Sequence, residues 1–121
     1  MGDGCPSLLN ANINEKVSKV LVISYSFVVI NEEYLYQRRR WDGFIKIENL
    51  NIDVKTFSTL SAYYFKDSNF VYSKSRGGLL RILKNADPYT FDVFTYDNSV
   101  PYFYAQYVRT LAKDKNSIFF T

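Results

Sequence analysis

The chain has 121 residues, 47% of them hydrophobic and 18% aromatic, with a net charge of +3. That length suits one domain with a real core, and so mild a charge gives no case for a nucleic-acid partner. Histidine is absent and Cys5 is the single cysteine, which removes the commonest general base, the commonest metal ligand and any internal disulfide or cysteine zinc site.

Residues 1–12 carry no periodic signal, and the Gly-rich start Met1-Gly2-Asp3-Gly4-Cys5 is expected to be a mobile N-terminal segment. A single β-rich domain is expected over 13–121, because eleven Tyr and ten Phe pack best on a pleated surface. The most apolar run, Val20 to Ile30, is too short to span a bilayer. It lacks a basic start and a small-residue cleavage site, so it is expected as a buried strand running from Val17, bent near Ser24 or Ser26. The chain shows no address, which leaves the cytoplasm as a default.

Asn31-Glu32-Glu33 is a turn, Tyr34 to Trp41 a strand, and Asp42-Gly43 a hairpin signal, since both central positions of a type I′ turn need positive φ. Phe44 to Glu48 alternates. Further strands are expected at Tyr63–Phe65, Phe70–Ser73, Leu79–Leu83 and Ser117–Thr121. Lys66-Asp67-Ser68-Asn69 and Lys113-Asp114-Lys115-Asn116 are turns in which Asp and Asn bond to nearby backbone.

Two segments organise this pattern: Ile52-Asp53-Val54-Lys55-Thr56-Phe57 and, 34 residues on, Ala86-Asp87-Pro88-Tyr89-Thr90-Phe91. Asp53 and Asp87 are placed as N-caps of short helical turns, Asp87 accepting from the Thr90 N–H with Pro88 at the first helical position. The expected fold is mainly β (β-rich α+β), an antiparallel meander of repeated three-strand units closed by Asp-capped turns. The units would span about 17–60, 61–95 and an incomplete 96–121.

Lys113-Asp114-Lys115-Asn116-Ser117-Ile118-Phe119-Phe120 resembles the Asp-Lys-Asn-x-x-Tyr-Tyr hallmark of the bacterial DKNYY repeat family, and Ala86 to Phe91 resembles its Ala-Asp-Pro-x-Thr-Phe element. Lys66 to Tyr72 is a looser copy, and Asn31 to Tyr36 a degenerate one. The hallmark aromatics here are Phe119-Phe120, Asp67-Ser68-Asn69 lacks the central Lys, and Thr95–Tyr104 is an insertion. The resemblance implies a bacterial repeat protein, exported or at the cell surface, with no catalytic residues to carry over.

The recurrent acids Asp67 and Asp114 and amides Asn69 and Asn116 lack the ligand density of a calcium loop; they read as turn chemistry, and no metal or cofactor is expected. Gly77-Gly78 is not a phosphate cradle. In Arg38-Arg39-Arg40-Trp41, strand alternation puts Arg38 and Arg40 on one face and Arg39 and Trp41 on the other. This run is either a phosphate or sugar-phosphate patch or a charged strand that resists edge pairing. Tyr96, Tyr102, Phe103 and Tyr104 crowd the insertion around Pro101, either plugging the core or forming a binding face. The functional expectation is a non-catalytic interaction module that binds protein or peptide through Tyr96, Tyr102, Phe103, Tyr104, Arg38, Arg40 and Trp41. A carbohydrate-binding module and a carboxylate-dependent enzyme are the alternatives.

Overall fold

The computed structural model describes residues 15–39, 43–75, 77–94 and 111–120. The expected N-terminal segment 1–12 lies outside them. The chain divides into two compact units, Met1–Lys55 and Thr56–Thr121. Among the described residues the structure is all strand and turn. The strands are β1 (Val20–Ser24), β2 (Phe27–Ile30), β3 (Tyr34–Arg39), β4 (Gly43–Lys46), β5 (Ser58–Thr59), β6 (Tyr64–Lys66), β7 (Val71–Ser73), β8 (Arg81–Ile82), β9 (Asp92–Val93), β10 (Leu111–Lys113) and β11 (Ile118–Phe120). They form three antiparallel meanders, β1-β2-β3-β4, β5-β6-β7-β8 and β9-β10-β11. The mainly-β expectation holds, and the helical component does not.

The first unit is one sheet. Val20 to Ile30 is not one bent buried strand but a hairpin. Tyr25 and Ser26 form its turn, which the Ser24 hydroxyl steadies by accepting the Ser26 N–H at 3.3 Å. Its second arm is buried and its first is not: Phe27, Val29 and Ile30 lie at 3% exposure or less, whereas Val20, Leu21 and Val22 are 57–66% exposed. The reason is position. Strand β1 is at the sheet's edge and pairs only with β2. Asn31 and Glu32 turn the chain into β3 with φ of 57° and 62°, and Gly43 enters β4 at φ 75°, conformations that Asn and Gly adopt most readily. Alternation puts Phe27, Val29, Leu35 and Gln37 on one face, all buried, and Ile30 and Tyr36 on the other, also buried.

The second unit holds the other two sheets. Tyr64, Val71, Phe91 and Ala112 form its buried cluster, with Leu60, Leu83, Val93 and Phe119 packed around it. Each aromatic ring buried there contributes on the order of 1.5–3 kcal/mol. Tyr64 and Phe91 lie 5.4 Å apart by ring centroid, and Phe91 and Phe119 5.6 Å. On the far face of the β5–β8 sheet, Phe57 stacks on Phe65 at 6.0 Å with planes 6° apart.

Among the described residues no helix forms after Asp53 or Asp87. After Asp87 the chain makes one closed turn, the Phe91 and Thr90 N–H groups donating to the Asp87 carbonyl at 2.9 and 3.3 Å, and then extends into β9. The Asp87 carboxylate accepts from the Tyr89 N–H at 3.3 Å and from the Thr90 hydroxyl at 2.7 Å, so it caps this single turn through the Tyr89 N–H and not through the expected Thr90 N–H. Burying Phe91 against Tyr64 sends the backbone into the sheet, and no second helical turn follows. The sheets of four, four and three strands also replace the expected three-strand blocks ending at residues 60 and 95. Phe57 and Phe91 lead into the first strand of a new sheet and do not close the preceding one.

Candidate functional site

The acids that recur along the chain are committed to backbone. Asp67 is 3% exposed. One carboxylate oxygen accepts the Asn69 and Phe70 N–H groups, each at 2.8 Å, and the other accepts the Tyr72 hydroxyl at 2.7 Å. Asp114 does the same with the Asn116 and Ser117 N–H groups, each at 2.8 Å, and its second oxygen takes the Asp87 N–H at 2.8 Å. In both turns the aspartate's own N–H donates to the carbonyl three residues on, at 3.0 Å. The donated bonds hold the Asp114 carboxyl below the usual carboxylate range, the Asp87 N–H being the largest cause. The Thr90 hydroxyl does the same to Asp87. Asp53 accepts the Lys55 N–H at 3.3 Å. Asp87 and Asp114 are thereby stabilised as anions, and Asp67 and Asp53 are positioned as turn formers.

The threonines tie each turn to the segment before it. Thr56 Oγ1 accepts the Ser68 N–H at 2.8 Å, and Thr90 Oγ1 accepts the Lys115 N–H at 3.0 Å. The strand registers match as well. Ser58 pairs with Lys66 and Thr59 with Phe65, as Asp92 pairs with Lys113 and Val93 with Ala112. Phe57 meets Tyr72 at 6.0 Å and 48°, as Phe91 meets Phe119 at 5.6 Å and 46°. One position differs: Thr59 Oγ1 is buried without a hydrogen-bond partner, where the residue in the matching register position is Val93.

A second polar cluster was not foreseen. Glu15 accepts from the buried Tyr36 hydroxyl and pairs with Lys46 at 2.6 Å, while the Lys46 ammonium sits 4.2 Å from the Tyr34 ring centroid. The Lys46 contact, with Tyr36 second, lowers the Glu15 carboxyl from its ordinary value, and Glu15 in turn raises Lys46. Each partner locks the other in its charged form, the opposite of an acid–base pair poised near neutrality. The cluster pins the chain at Glu15 to the sheet. Sequence spacing gives no hint of it, since strand register brings Tyr36 to Lys46 and Glu15 reaches them from the segment before β1.

Of the residues expected at a binding face, Arg40, Trp41, Tyr96, Tyr102, Phe103 and Tyr104 lie outside the described residues. Arg38 is described. It stands exposed on β3 with its guanidinium carbon 4.4 Å from the ring centroid of Tyr25, itself 77% exposed. Such a pair holds a flat cationic surface against a flat aromatic one. Other exposed rings are Tyr89 at 84% and Phe120 at 80%. A groove of about 580 Å³ runs beside β1, lined by Lys19, Val20, Leu21, Val29, Glu32, Val54 and Lys55. Among the described residues no group of three His, Cys, Asp or Glu side chains is placed to hold a metal ion, and no helix is long and apolar enough to cross a membrane. Comparison with protein-family models, with curated proteins and with solved structures gives no match.

Proposed function

We propose that this chain is a non-catalytic bacterial repeat module of the DKNYY type that binds protein or peptide through an arginine–aromatic face. The observation that carries the proposal is the Arg38–Tyr25 pair, exposed and already stacked at 4.4 Å. Arg and Tyr are the side chains that dominate binding hot spots, and a pre-stacked pair loses little freedom when a partner covers it. Arg40, Trp41, Tyr96, Tyr102, Phe103 and Tyr104 are proposed as further contact residues, and their placement lies outside the described residues. Two further observations support a scaffold role. Asp67, Asp87 and Asp114 are spent on turns, and the Asp67 and Asp114 hairpins repeat the same bonds to the same kinds of residue.

A displayed peptide library panned against the whole chain tests the proposal. Enriched peptides should lose about tenfold or more in affinity for Arg38→Ala and for Tyr25→Ala, the worth of one desolvated cation–aromatic contact. No enrichment, with a glycan array giving signal instead, would replace the proposal by a carbohydrate-binding module. Peptides indifferent to both substitutions would remove Arg38 and Tyr25 from the site.

A further inference from the structure

Beyond that partner face, the geometry points to a second copy of this chain as the occupant of the β1 edge, paired antiparallel about a two-fold axis at Leu21. Among the described residues no strand lies on the outer side of β1. The edge is Val20-Leu21-Val22, uncharged, free of Pro and rich in β-branched residues, so within these three residues it lacks the charges and prolines that normally keep an edge from pairing. It is not a loose end. Asn31 Oδ1 accepts the Ser18 and Lys19 N–H groups at 2.7 and 3.1 Å, Asn31 Nδ2 donates to the Lys16 carbonyl at 2.8 Å, and Lys19 pairs with Glu32 at 3.2 Å.

Register selects the partner. The Asn31 N–H donates to the Lys19 carbonyl at 2.9 Å, and β1 pairs Val20 with Ile30 and Leu21 with Val29. In an antiparallel ladder the hydrogen-bonded pairs alternate, so Lys19 and Leu21 bond inward to β2 while the N–H and C=O groups of Val20 and Val22 face outward. A second β1 laid antiparallel with Leu21 opposite Leu21 puts Val20 opposite Val22. That closes hydrogen-bonded pairs on both sides of the axis, using the groups that face out. The exposed apolar side chains of the first unit, Val17, Val20, Leu21, Val22 and Tyr25, are placed symmetrically about Leu21 in sequence, so apolar positions meet apolar positions. Lys19 comes opposite Ile23 and Lys16 opposite Ser26, so no like charges are opposed. The irregularity between Val22 and Ser24 limits the regular ladder to the Val20–Val22 core. Self-complementarity of this kind is what an isologous two-fold interface requires, and an unrelated peptide would have no reason to match it.

Sedimentation equilibrium of the full chain from about 10 μM to about 1 mM spans the weak range expected of so short a ladder. A dimer is expected, and Leu21→Lys, which sets two ammonium groups against each other on the axis, should weaken it by at least about tenfold with the far-UV spectrum unchanged. Register is read in a Cys5→Ser background. Opposed residues of a non-hydrogen-bonded pair lie about 4.5 Å apart between Cα atoms, within disulfide reach. Leu21→Cys should therefore oxidise to a covalent dimer, and Val17→Cys, far from its own counterpart, should not. A monomer throughout the range, a dimer indifferent to Leu21→Lys, or cross-linking from Val17→Cys as fast as from Leu21→Cys would each overturn the inference. Tyr25 belongs to both surfaces, so dimerisation is read on Leu21→Lys and peptide binding on Arg38→Ala, which leaves the β1 edge unchanged.

Discussion

Replacing Asp67 by Ala should be among the most damaging single changes in the second unit. Its carboxylate holds two turn N–H groups at 2.8 Å and a buried tyrosine hydroxyl at 2.7 Å, and both Asp67 and Tyr72 are at 3% exposure or less. The two N–H groups can turn toward water once the acid is gone, at about 1 kcal/mol each. The Tyr72 hydroxyl is sealed in and loses this acceptor, at about 1–3 kcal/mol. The total is about 3–5 kcal/mol, a large share of the stability of an ordinary domain. Urea unfolding followed by far-UV circular dichroism measures it, with the slope unchanged if the loss is local. The double variant Asp67→Ala/Tyr72→Phe separates the terms. Removing the hydroxyl as well removes the cost of taking this acceptor from it, so the double variant should be more stable than the sum of the singles by about 1 kcal/mol or more. A loss below about 1 kcal/mol for Asp67→Ala, or strict additivity in the double variant, would refute this account of the turn.

Thr59→Val should be neutral or stabilising by up to about 1 kcal/mol in the same urea assay, because it removes a buried hydroxyl without a partner. Asn31→Gly keeps the positive φ and deletes the side-chain clamp on residues 16–19. It should cost about 1–2 kcal/mol and speed amide exchange in β1 more than in β3. Asp87 and Asp114 hold their protons less tightly than ordinary carboxylates. Their contribution is therefore present above the usual carboxylate range and drains away as pH falls through their lowered values, and Asp114→Asn should flatten that acid limb of the urea midpoint against pH. Lys46 is raised, so its contribution is full below the usual lysine value and is lost as pH climbs through the raised one, a limb that Glu15→Gln should weaken.

How legible the molecule was depended on whether a signal was local. The turns at Asn31-Glu32, Asp67 and Asp114 stand where the sequence placed them, since Asn and Asp act through their own backbone neighbours. By contrast, β3 ends at Arg39 and β4 opens on Gly43, so the connection expected at Asp42-Gly43 falls on 40–42, outside the described residues. The hairpin at Tyr25-Ser26 is marked only by Ser24 and Ser26, weaker turn formers, and so the sequence reads a bend in one strand there and not a reversal. Burial misled at the same place. An apolar run shows that a strand is β-prone, but only strand order shows that β1 is an edge, and order is a tertiary fact. The helical turns failed for a related reason: Asp87-Pro88 has the composition of a helix start, yet one residue, Phe91, buries better against Tyr64 and Phe119 than along a helix. Of the candidate site, Arg38 was legible as a cation on a strand. Tyr25 beneath it was not, because a hairpin register joins them across 13 positions of sequence.

Every strand in the three sheets pairs only with the strand before or after it in the chain. Among the described residues no sheet takes in a strand out of chain order, so each can zip once its own residues leave the ribosome. Added or deleted sequence between sheets would then alter spacing without scrambling strand partners, which makes this a chain that can lengthen in evolution by whole sheets at a time.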